Sequence, residues 1–160
     1  MSQPRGARLR RRIARFLSDY AWWQKALVPV VFIALGFARL AILTLPFARY
    51  SQWLGPQGSQ IGAVSPDPVD QDKVARVGRL VSAVARITPW TSNCLPQALV
   101  AAWLLRRMHV PHAVHLGVRR ADKESDPGLE AHAWVLSGSV PVTGVAEAVG
   151  MTPVASFVST

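Results

Sequence analysis

The chain has 160 residues, half of them hydrophobic, and a mean hydropathy of +0.20, enough to build the core of one domain and too apolar for a wholly disordered protein. The single cysteine, Cys94, excludes an internal disulfide, and the N-terminus lacks the compact apolar stretch and small-residue cleavage site of a secretory signal, so the expectation is a cytoplasmic protein. The formal charge of +9 is mainly a tail, because Arg5, Arg8, Arg10, Arg11, Arg12 and Arg15 stand among the first fifteen residues without an acid. Such a cluster suits phosphate, anionic lipid or an acidic partner, and without interleaved aromatics or zinc-ligand spacing it argues against nucleic acid.

Residues 1–25 form this basic tail, and residues 26–54 an apolar helical segment. Within it "ALVPVVFIALGFARLAILTLPFA" (26–48) is divided by Arg39 and flanked by Pro29 and Pro46. A spanning helix needs about 20 mostly apolar residues, and a central Arg costs roughly 2.5–3.5 kcal/mol on insertion scales. The favoured reading is therefore a helix packed on the domain or on a partner. Trp22, Trp23 and the arginines before them leave open a helix lying on a bilayer, with peripheral membrane contact through residues 5–48.

Residues 55–72, "GPQGSQIGAVSPDPVDQD", read as a linker, and residues 73–160 as the core. Val74, Val77, Val81, Val84 and Ile87 recur at three and four residues, the stripe of an amphipathic helix ending near Pro89. The next segment, "TSNCLPQALVAAWLLRRMHV", offers Thr91, Ser92 and Asn93 as caps, Pro96 in a first turn, and Leu95, Ala98, Leu99, Ala102 and Leu105 as an apolar face. With Arg106 and Arg107 at its negative end, it predicts a helix of about fourteen residues that opens beside Cys94. Beyond Pro111, "HAVHLGVRR" and "LEAHAWVL" alternate apolar and polar positions and read as two strands of a hairpin, with a third strand in "SVPVTG".

A lone cysteine is usually an inert core residue. At a helix start, however, unpaired backbone N–H groups and the positive dipole end stabilise a thiolate, and the same amides can bind an oxyanion. Of the four histidines, His109 and His112 flank the far end of the Cys94 helix, about 20 Å away at 1.5 Å per residue, where surface roles suffice. His115 reads as a solvated or hydrogen-bonded strand residue. His132, between Ala131 and Ala133 and next to Trp134, is the best candidate base. One cysteine and scattered histidines give no zinc pattern, and no Gly-rich phosphate loop is present. A Cys at a helix start followed by a His on a strand is an arrangement for nucleophilic acyl transfer.

The run "PWTSNCLPQALVAAWLLRRMHVPHAVHLGVRR" followed by "LEAHAWV", with "LTLPFAR" upstream, resembles the leader peptidases of lasso-peptide biosynthesis, in their short form without a precursor-recognition domain. "SNCL" and "HAWV" at this separation are its most specific parts. The resemblance implies an α+β, papain-like or transglutaminase-like core, Cys94 as nucleophile and His132 as general base, and needs no metal or organic cofactor. It also implies a precursor-peptide substrate, a separate small leader-recognition protein, and a macrolactam-forming cyclase as partners. The family often places an Asp about a dozen residues after the histidine, where this chain has "PVTG". Glu147 is the expected orienting acid; Thr143, a backbone carbonyl, Glu130 or a plain Cys–His dyad are the alternatives. Two rival functions remain at this level: a non-catalytic, membrane-associated scaffold, and an amide-forming acyltransferase using the same pair.

Overall fold

The computed structural model describes residues 22–58, 68–121 and 128–159; most of the basic tail, the middle of the linker-like stretch and the tip of the loop between the first two strands lie outside the described residues. The architecture is α+β. Helix α1 (Trp22–Thr44) leads through a short helix α2 (Phe47–Tyr50) and a 3₁₀ turn (Ser51–Leu54) to α3 (Pro68–Ala85) and α4 (Cys94–Arg107), followed by β1 (His112–Arg120), β2 (Leu129–Ser137), β3 (Val140–Thr143) and β4 (Thr152–Ser159). The strands form one antiparallel sheet in the order β3-β2-β1-β4.

Helix α4 packs against the sheet, α1 and α3, and α3 itself also meets the sheet at β3. Its predicted apolar face is buried, with Leu95 only partly so, but Val100, Ala101 and Leu104 are buried as well, because a helix with neighbours on several sides has no solvent face to keep polar. On α3, Val74, Val77, Leu80, Val81 and Val84 are fully buried. Ile87, the last residue of the predicted stripe, is instead 64% exposed, because the helix ends at Ala85 and the chain turns there, with Ile87 N–H bonding Val84 O and the Thr88 hydroxyl bonding Ala85 O. Helix α3 also approaches β3 so closely that a methyl on Gly78 would overlap the Val142 carbonyl.

Helix α1 is packed on the domain: Val31, Leu35, Ala38 and Ala41 are buried, and Val31, Leu35 and Ala38 belong to the same core as α3 and α4. Gly36 gives room to the indole of Trp90, which Phe32 meets edge-on with ring centroids 5.0 Å apart. The opposite side of α1 stays exposed.

Two strand-region expectations are corrected. His112, read as a surface residue, is buried, with Nδ1–H donating to Val110 O at 2.9 Å; the turn after α4 carries the chain straight into the first position of β1 and takes the ring inward. His109 alone stays exposed there, holding the left-handed position of that turn (φ 54°) while Val110 N–H bonds Leu105 O. No strand was expected after residue 144, yet β4 pairs with β1 along most of its length, with a bulge at Leu116/Gly117. It forms the edge opposite β3, and its Pro153 is tolerated there.

Candidate active site

Cys94 is the first residue of α4, half-buried and unbonded to any other thiol. The turn before it is tied down from both sides: the Thr88 and Ser92 hydroxyls are 2.9 Å apart, and Gln97 Nε2 donates to Ser92 O at 2.8 Å. Trp90, seated on α1, fixes the same turn from below. Asn93 occupies the cap position in an extended conformation but makes no side-chain cap. The capping role expected of this stretch is therefore not filled, and the first-turn amides of Cys94 and Leu95 face no capping side chain. Pro96 follows and has no amide to satisfy.

His132 lies on β2, half-buried, opposite Gly117 of β1. Strand alternation sets it on the sheet face that carries Trp134, whose ring stacks at 6.3 Å between centroids with a 14° tilt. Gly117 leaves the space that Trp134 fills, since a Cβ there would come within 2.8 Å of the indole. The indole thus lines one side of the imidazole.

The decisive contact is backbone. His132 Nε2–H donates to the Gly144 carbonyl at 2.7 Å, which fixes the tautomer and leaves Nδ1 with its lone pair. Gly144 has φ +69°, and a Cβ there would overlap Ala133 O and stand 3.0 Å from His132 Nε2. Only glycine fits this turn, because the carbonyl must arrive where a side chain would otherwise collide. The contact is thus made by a backbone carbonyl, one of the expected alternatives to Glu147, and not by an acid. Glu147 sits exposed on the 3₁₀ turn Ala146–Ala148 and makes no hydrogen bond to the imidazole. Glu130 is held by Arg119 across the hairpin, with Oε2 2.8 Å from Nη2. The Thr143 hydroxyl is buried without a hydrogen-bond partner.

Cys94 and His132 line one cleft of about 410 Å³. Its walls come from α1 and α2 (Arg39, Ile42, Phe47), from Asn93 to Pro96, and from the sheet at Leu116–Val118, Ala131–Ala133 and Val154. Among the described residues no hydrogen bond joins Cys94 Sγ to His132. Arg39 is the one fixed positive charge on the cleft wall. Sequence reasoning treated it as an interruption of an apolar run; its only signal was a charge in an otherwise apolar helix. Gly144 left a fainter trace, since a carbonyl contact has no side-chain signature.

The remaining histidines are structural. His115 is buried and shares a 2.8 Å hydrogen bond with the Ser156 hydroxyl. Burial pushes the basicity of both His112 and His115 below the usual imidazole range. Among the described residues no group of three His, Cys, Asp or Glu side chains is placed to hold a metal ion.

No curated protein and no solved structure matches the chain. A family model described as the Transglutaminase-like superfamily matches residues 41–156, a span that holds α2 to α4, β1 to β3, the first part of β4, Cys94 and His132 together. With the cysteine at a helix start, the histidine on the neighbouring sheet and this match over most of its length, the chain belongs to the transglutaminase-like superfamily.

Proposed function

We propose that this protein is a cysteine peptidase that removes the leader from a ribosomally synthesised lasso-peptide precursor, ahead of ring closure by a partner cyclase. The observation that carries the reading is the cleft that Cys94, at the uncapped start of α4, and His132, tied through Nε2 to Gly144, line together. Membership of a superfamily that includes cysteine peptidases and acyltransferases supports the same chemistry, and the "SNCL…HAWV" resemblance supplies the substrate.

In this mechanism Nδ1 of His132 takes the Cys94 thiol proton as Sγ bonds to the carbonyl carbon at the leader–core junction. The carbonyl oxygen becomes an oxyanion, and the Cys94 and Leu95 amides are the donors available to it. Collapse breaks the C–N bond, and the imidazolium returns its proton to the departing amine of the core peptide. Water, deprotonated by the same nitrogen, then attacks the thioester, releasing the leader carboxylate and the thiol. The Gly144 carbonyl holds the ring throughout, acting as a positioning group. A separate recognition protein delivers the leader and raises its local concentration, since this chain has no such domain in the stretch that resembles the family.

The test is to incubate full-length precursor and recognition protein with the wild-type chain, Cys94→Ala and His132→Ala, and to weigh the products. Free leader from the wild type and none from a folded Cys94→Ala supports the peptidase. Leader joined to an added amine would establish the acyltransferase, and release by Cys94→Ala would remove the nucleophile.

A further inference from the structure

Helix α1 has two faces of opposite fate. Gln24, Val31, Leu35, Ala38 and Ala41 are buried, while Trp22, Val30, Ile33, Phe37, Leu40 and Leu43 are 81%, 39%, 57%, 68%, 55% and 65% exposed. At 3.6 residues per turn the two sets lie on roughly opposite sides of the helix. An apolar stripe of this length left in water marks an interaction surface. Charge identifies what it meets. Six arginines with no acid precede the helix within fifteen residues, Lys25 stands exposed in its first turns, and two tryptophans mark its start. A basic segment, interfacial aromatics and a one-sided apolar helix complement an anionic bilayer surface.

We infer that α1 docks in the plane of an anionic lipid membrane, its outer stripe sunk among the acyl chains. The helix is long and apolar enough to cross a bilayer by composition, but its inner face is packed on the domain from Gln24 to Ala41, about 25 Å of axis at 1.5 Å per residue. Crossing would strip that packing away, whereas lying flat keeps it. Arg39 presents no obstacle in this orientation, because it lines the cleft rather than the outer stripe. The inference is independent of the catalytic reading and holds equally for an inactive protein.

The purified full-length chain is floated with vesicles of phosphatidylcholine alone and with vesicles carrying about one part phosphatidylglycerol to three of phosphatidylcholine. Expected are flotation with the anionic vesicles, little with the neutral ones, and weakening as NaCl rises from about 50 to about 500 mM. Ile33→Glu with Leu40→Glu should lower partitioning at least about tenfold, with Ile33→Gln and Leu40→Gln as a milder pair. Leu129→Glu with Val149→Glu, exposed apolar positions on the sheet side, should change nothing, and circular dichroism confirms folding of each. Release by alkaline carbonate supports the in-plane orientation; retention there indicates a spanning helix and overturns it. Flotation of the Ile33/Leu40 variants equal to wild type overturns the docking face, as does a wild type that ignores vesicles and forms a dimer which those substitutions dissociate.

Discussion

Adding one methyl at Gly144 tests the contact on which the site turns. Alanine at φ +69° carries a left-handed penalty of about 1–2 kcal/mol. The methyl would also overlap Ala133 O and press on His132 Nε2, and relieving that overlap moves a strand backbone, which adds about 1–3 kcal/mol as overpacking does elsewhere. Gly150 is the built-in control, having φ +77° with no atom within 4 Å of its would-be Cβ, so alanine there carries only the first cost. Urea unfolding, with midpoint and slope both fitted, should therefore place Gly144→Ala about 1–3 kcal/mol below Gly150→Ala. The same shift displaces the carbonyl that accepts from His132. A hydrogen bond to an imidazolium contributes about 1.5–3 kcal/mol, so kcat/KM for leader release should fall roughly ten- to a hundredfold relative to Gly150→Ala. Equal stability losses at the two glycines would mean the turn at 144 is not packed as described. Equal activities would mean that the carbonyl does not hold the ring.

Glu147→Gln should alter kcat/KM by less than about twofold, since the carboxylate is exposed and Nε2 is already bonded to Gly144; a loss as large as that of His132→Ala would make Glu147 the orienting acid. Gly78→Ala should lower stability by about 2–4 kcal/mol, seen in the thermal midpoint, because the methyl meets the Val142 carbonyl rather than a movable side chain, and an unchanged midpoint would refute the close approach of α3 to β3. Stability should also fall as pH is lowered. His112 and His115 are held neutral by burial, so the unfolded chain binds protons more readily; their contribution is complete above the ordinary imidazole value of 6.5 and is lost as pH drops below it. Denaturation midpoints that stay level from pH 8 to pH 5, or the same slope in His115→Gln as in wild type, would contradict this.

Periodicity was enough for α3, α4 and the first two strands. The Val74-to-Val84 stripe, the apolar face of the Cys94 helix and the alternation of the first two strands are local patterns, because a helix or strand that hides one face must repeat that face in sequence. Cys94 at a helix start was legible from the cap-forming residues before it and Pro96 after it, and the apolar run at 26–48 from its composition, most of it lying in the helix Trp22–Thr44. The transglutaminase-like class followed from the order of cysteine helix and histidine strand.

Tertiary contact decided what no local repeat could encode. Val100, Ala101 and Leu104 are buried because α4 has neighbours on several sides, and His112 turns inward because of how the chain leaves that helix. The strand β4 exists by pairing with β1, some 40 residues earlier in register (His115 with Ser156). Arg39 reached the cleft wall only when α1 was packed against α3 and α4. The partner of His132 is the sharpest case: the sequence left Glu147, Glu130, Thr143, a backbone carbonyl or no third group open, and the fold supplied the carbonyl of Gly144 through a turn that glycine alone can make. A backbone oxygen is present at every residue, so only the three-dimensional path of the chain determines which one meets the imidazole.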